Sequence, residues 1–168
     1  MSDDLNVTAL QAQVEDDAIA VRVELANESD RTVHAYRQSR RLLYDDATRT
    51  LRVGLTDRHA DTSSDASTFV LPEFTAVDPH GTTTIELRLP RVLTRIAGAN
   101  EQGAPIIERF RIDEADDVEV EVAWSDTPFY RDPRPKLAED AHPAAALRTW
   151  ERGLATARAP LAQGPSAG

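Results

Sequence analysis

The sequence predicts an all-β fold, an antiparallel β-sandwich of seven to nine strands forming one domain, with one C-terminal α-helix packed on it. Three observations lead there. Apolar and polar residues alternate with period two in several segments, turn-forming clusters punctuate those segments, and after Trp124 the texture changes first to proline and then to helical spacing. A chain of 168 residues has the length of one domain, and 40 % apolar with 29 % charged residues argues against global disorder.

The clearest strand is AIAVRVEL, in which Ile19, Val21, Val23 and Leu25 share one face while Arg22 and Glu24 share the other. TTTIELRL repeats the pattern with Ile85, Leu87 and Leu89, and DVEVEVAW repeats it with Val118, Val120, Val122 and Trp124 against Glu119 and Glu121. Further strands fit residues 5 to 14, 32 to 37, 41 to 45, 50 to 56, 67 to 71 and 106 to 112, each short and rich in β-branched or aromatic residues. Turn clusters separate them at Glu15–Asp17, Asn27–Asp30, Asp45–Thr48 and Asp78–Gly81, the last arranged for a type I turn with Pro79 second and Gly81 fourth. AGANEQGAP, 97 to 105, reads as a mobile loop between two strands.

These readings place the sandwich at 1–126 and a connector at 127–142, where Pro128, Pro133 and Pro135 oppose both helix and central strand. A helix follows at 143–159, with Pro143 at its first position and Leu147, Trp150 and Leu154 on one stripe. Residues 160–168 read as a disordered tail.

The absence of cysteine excludes disulfides, thiolate nucleophiles and cysteine-ligated metals. With 19 basic and 29 acidic residues the formal net charge is -10, which repels phosphate backbones, so nucleic acid is not an expected partner. Lys136 is the single lysine among the basic residues, a bias that fits a GC-rich genome or adaptation to salt as well as any binding need and carries no functional weight. No window approaches a membrane-spanning apolar run, and the acidic start MSDDLNVTAL lacks the basic region of a secretory signal, so a cytoplasmic protein is expected.

Asp57, His59 and Asp61, followed by TSSDAS, gather carboxylates, hydroxyls and an imidazole in one loop at 57–65, a candidate metal site beside the plainer reading of a solvated loop. His34, His59, His80 and His142 have no paired ligand spacing. There is no nucleophile elbow, dinucleotide fingerprint or phosphate loop, and no cofactor is expected. Arg37, Arg40 and Arg41, between Tyr36 and Tyr44, form a positive island suited to an acidic peptide or a phosphate, beside the plainer reading of arginines that are solvated or paired with nearby acids such as Asp45 and Asp46.

The connector displays Phe129, Tyr130, Arg131 and Arg134, interface-enriched residue types on a proline-stiffened segment, and Trp150 stands on the predicted helix. The alternative is that they pin the helix to the sandwich.

The span VRVELANESDRTVHAYR, a strand, an Asn-Glu-Ser-Asp-Arg turn and a second strand, resembles bacterial immunoglobulin-like modules, including those similar to the intracellular proteinase inhibitor type, through Asn27, Ser29 and Val33. The resemblance implies an immunoglobulin-like architecture over residues 5 to 125 and, in its inhibitor-like members, peptide or protease binding. It carries no site residue across. The expected function is a non-enzymatic intracellular protein-binding or accessory module that recognises a partner through the connector and helix. The alternative is a metal-dependent hydrolase or metal-binding protein built on the 57–65 loop. A homodimer through the helix or an exposed edge strand is compatible with the first.

Overall fold

A computed structural model describes residues 4–58, 72–128 and 150–163. Strands dominate them: β1 (Leu5–Val14), β2 (Ile19–Asn27), β3 (Val33–Tyr36), β4 (Arg41–Asp45), β5 (Thr50–Leu55), β6 (Phe74–Val77), β7 (Thr82–Leu89), β8 (Val92–Ala99), β9 (Pro105–Arg111), β10 (Asp117–Ser125) and β11 (Gly153–Ala162), with a 3-10 turn at Ile112–Glu114. Nine of them form one sheet in the order β4-β5-β10-β11-β1-β2-β7, with β3 and β6 attached through β10, and β8 and β9 pair separately. No helix among the described residues is long and apolar enough to cross a membrane.

The alternation explains why this sheet folds over on itself. Ile19, Val21, Val23 and Leu25 of β2 and Ile85, Leu87 and Leu89 of β7 are buried in the same core as Leu51, Val53 and Leu55 of β5 and Val118, Val120 and Val122 of β10. One half of the sheet, β1-β2-β7, therefore faces the other, as in a β-sandwich. Each such buried aliphatic side chain contributes roughly 1.5–3 kcal/mol.

β10 is the organising strand. It lies antiparallel to β11 along its length, parallel to β5 from Asp117 to Val122, and antiparallel to β3 at Trp124 and Ser125.

The expected C-terminal helix is corrected by β11. Gly153–Ala162 is a strand, paired with β10 from Gly153 to Pro160 and then parallel with β1 through Leu161 and Ala162. Pro160–Ala162 thus belongs to the sheet and not to a disordered tail. The start of β11 is tightly packed: a Cβ on Gly153 would lie 3.0 Å from the Trp124 ring. Pro160, lacking an N–H, sits where β11 leaves β10 for β1, and the next amide, Leu161, donates to the Asp116 carbonyl at 2.9 Å. The helical stripe fails because Leu154 is in a strand, and residues 143–149 lie outside the described residues, as does the predicted strand at 67–71.

Two further differences concern turns and the predicted loop. Gly81 N–H bonds the Asp78 carbonyl at 2.8 Å as expected, but His80 has φ +56, so the turn has a left-handed third residue and is not type I. β8 extends to Ala99 and β9 begins at Pro105, so the 97–105 loop shrinks to a tight connection.

The Asn-Glu-Ser turn has a structural cause. The buried Asn27 amide donates to the carbonyls of Arg31, Val77 and Asp78 at 2.7, 3.0 and 3.1 Å, while its Oδ1 accepts from Ser29 N–H and hydroxyl. It ties the β2–β3 turn to the β6–β7 turn.

Candidate functional site

Strand pairing brings four chain segments to one end of β10. β3 meets that end at Trp124↔Ala35, β6 pairs back on β3 at Tyr36↔Phe74, and β11 begins there at Trp124↔Gly153. β5, parallel to β10, emerges at the same end, so Thr56 and Asp57 follow its last paired residue.

Three aromatic rings converge there. The centroid separations are 5.0 Å for Tyr36–Phe74, 4.7 Å for Phe74–Trp150 and 5.9 Å for Tyr36–Trp150, with tilted or edge-on planes as ring quadrupoles favour. Trp150 Nε1–H donates to the Thr127 carbonyl at 2.7 Å, and Arg152 N–H donates to the Trp124 carbonyl at 2.8 Å. The chain therefore leaves at Thr127 and re-enters at Trp150 almost side by side. Trp124 Nε1 is buried at this end and meets no acceptor among the described residues.

Beneath the rings lies a charged network. Tyr36 O–H donates to Asp57 Oδ2 at 2.9 Å, and Arg40 Nε–H donates to Asp57 Oδ1 at 3.4 Å. Glu151 Oε1 accepts from Asp57 N–H at 2.8 Å, Glu151 Oε2 accepts from the Thr56 hydroxyl at 2.8 Å, and Arg58 stands 3.9 Å from Glu151. The side chains of Asp57 and Glu151 are 6 % and 1 % exposed, and that of Arg40 is 10 % exposed. Burial pushes the Glu151 carboxyl above its ordinary value, against the lowering effect of its donors. Burial and the charges of Glu151 and Asp57 push the Tyr36 hydroxyl far up, so it stays a donor.

The roots of a second segment frame the same end. The chain passes Arg58 before 59–71 and returns at Glu73, whose amide bonds Gln38 Oε1 at 3.1 Å and whose carboxylate pairs with Arg37 at 3.2 Å. Two residues from separate predicted sites, Asp57 and Trp150, are thus brought into one cluster. His59, Asp61, Phe129, Tyr130, Arg131 and Arg134 lie outside the described residues. Asp57 is engaged by Tyr36 and Arg40, and among the described residues no three potential ligands gather as a metal site. In the arginine island Arg37 pairs with Glu73 and Arg40 with Asp57.

Sequence reasoning missed Tyr36, Phe74 and Glu151 as members. Tyr36 was visible as a flank of the arginine island, whereas the helical reading of Trp150 hid Glu151.

The opposite end of β10 carries a different centre. The buried Asp113 accepts from Arg91 Nε–H at 2.8 Å and from Arg111 at 3.0 Å, and Arg91 also donates to the Asp16 carbonyl at 2.9 Å. Burial alone would raise the Asp113 carboxyl, but the two guanidiniums outweigh it and hold it below its ordinary value.

No family model matches the chain, and a search of curated proteins finds no match.

Proposed function

We propose that the chain is a non-enzymatic protein-binding or accessory module that recognises its partner at the end of β10 carrying the aromatic cluster. The observation behind this reading is the convergence of loop roots. Segments 59–71 and 129–149 both start and finish around Tyr36, Phe74, Trp150 and the Asp57–Glu151 network. A rigid buried base under long connecting segments suits recognition, because it reduces the ordering entropy lost on binding. In this reading Phe129, Tyr130, Arg131 and Arg134 supply the contacts, and Trp150 anchors the segment that bears them.

An immunoglobulin-like arrangement is supported by β1-β2-β7 opposing β6-β3-β10-β11, with β1 parallel to β11. The β4–β5 hairpin, entering parallel beside β10, departs from it.

The test uses an internal replacement, because truncation before Pro128 would remove β11 from the sheet. Residues 129–149 are exchanged for a short Gly/Ser linker, and Phe129, Tyr130 and Arg131 are changed together to Ala in a second variant. Both are expected to melt as the wild type does and to lose a partner that the full chain captures by affinity purification. Capture that survives in both variants overturns the reading. A rise in melting temperature with calcium, manganese or zinc would instead favour the metal reading at Asp57, His59 and Asp61.

A further inference from the structure

The β8–β9 hairpin is the one element pair that stands outside the nine-stranded sheet among the described residues. Its register pairs Ile96 with Ile107 and Thr94 with Arg109, so these four share a face, while Leu93 and Phe110 share the other. The second face is anchored: both residues pack against the core, and Phe110 lies 6.2 Å from the Tyr44 ring of β4. The first face is open, with Ile96 72 % and Ile107 59 % exposed. Apolar pairs displayed this way on a projecting hairpin leave an interface unfilled.

Leu43, on the edge strand β4, is another exposed large apolar residue. It borders a shallow groove lined by Arg41, Leu43, Arg52, Gly54, Glu119 and Glu121 across β4, β5 and β10. Gly54 makes the floor of the groove, since it sits between Arg41 and Glu121 in the pairing and puts no side chain there.

We propose that these two surfaces are complementary and that the occupant of the groove is a second copy of this chain: Ile96 and Ile107 of one copy seat on Leu43 and Gly54 of the other, with Arg109 reaching Glu121. Charge supports the choice of occupant. Residues 92–111 carry three arginines and two glutamates in a chain of net charge -10, and with Arg111 paired to Asp113 it is Arg109 that flanks the open Ile96–Ile107 face. Among the described residues neither Arg109 nor Glu121 forms an ion pair, and each stands beside the apolar contact it would complete. The arm is rooted at Tyr44, on the face of β4 opposite Leu43. An exchange in which each copy seats its arm in the groove of the other closes about a two-fold axis as a dimer.

Sedimentation equilibrium of the full chain across micromolar concentrations tests this. The expected species has twice the mass of the 18.5 kDa chain. Ile107→Asp and Gly54→Leu are each expected to give monomers. Gly54 is a safe place for the second change, because an added Cβ there meets its neighbours at ordinary distances of 3.6–3.7 Å. Arg109→Glu and Glu121→Arg are each expected to weaken association by about tenfold or more, and the double variant is expected to restore it. A wild type that stays monomeric throughout, a dimer that survives Ile107→Asp and Gly54→Leu, or a charge-reversed pair with no rescue overturns the proposal. A monomer whose Ile107→Asp variant loses a different protein would assign the arm to that partner.

Discussion

At the start of β10 one buried carboxylate, Asp113, meets two guanidiniums that reach solvent, whereas at its end two buried carboxylates, Asp57 and Glu151, lie among a nearly buried guanidinium and neutral donors. Nine residues of strand, about 30 Å at 3.3 Å per residue, separate them. The same sheet thus ends in two electrostatic states. Asp113 is over-compensated and held ionised, and it locks a 3-10 turn between β9 and β10. Glu151 keeps a raised carboxyl among donors that only partly compensate its burial, at the end from which the long segments depart. The two ends thus differ in how completely their buried carboxylates are compensated, and the proposed recognition surface stands on the less compensated end.

The largest expected effect separates the two ends directly. Asp57→Ala removes a buried carboxylate that accepts from the Tyr36 hydroxyl and pairs with the nearly buried Arg40, and is expected to cost about 3–5 kcal/mol in chemical denaturation. Asp113→Ala is expected to cost less, about 1–3 kcal/mol, because Arg91 and Arg111 can turn to water. Equal losses would mean that the two centres hold the fold in the same way.

Gly153→Ala comes next, at about 1–3 kcal/mol, because the new Cβ meets the Trp124 ring at 3.0 Å. In a helix the same change would stabilise by roughly 1 kcal/mol, so the sign of the measured shift separates strand from helix at the root of the aromatic cluster.

That sign also marks where the sequence could be read and where it could not. The three strands with strict alternation appear at Ile19–Asn27, Thr82–Leu89 and Asp117–Ser125, because each buries one face, the first and third pairing on both edges and the second on one. β11 carried the same period in Ala155, Ala157, Ala159 and Leu161 against Thr156, Arg158 and Pro160, but alanine signals burial weakly and helix strongly. β8 was hidden because Ala97, Gly98 and Ala99 read as loop, and a register shift between Ile96 and Gly98 breaks its alternation. In the candidate site, Asp57 and Trp150 were legible as residue types worth attention. Their meeting depends on parallel pairing of β5 with β10 and on β11 returning to Trp124, long-range choices that no local pattern records.

The smallest expected effect concerns pH. A carboxyl raised in the folded state holds its proton where the unfolded chain has released it, so the Glu151 contribution is greatest below the ordinary glutamate range and falls as pH rises through its raised value. Asp113 runs the other way: its lowered carboxyl contributes stability above the ordinary aspartate range, lost as pH falls through the lowered value. Glu151→Gln is expected to change stability at neutral pH by about 1 kcal/mol or less, since relief of the buried charge offsets weaker acceptance from Thr56 and Asp57. It is expected to flatten the decline of melting temperature toward neutral pH, and Asp113→Asn is expected to remove the acid-side loss while leaving that decline in place. Matching pH profiles for the two variants would show that the ends of β10 titrate as one system. Separate profiles would show that a change of charge at the aromatic end reaches the segments rooted there without disturbing the turn that holds the other.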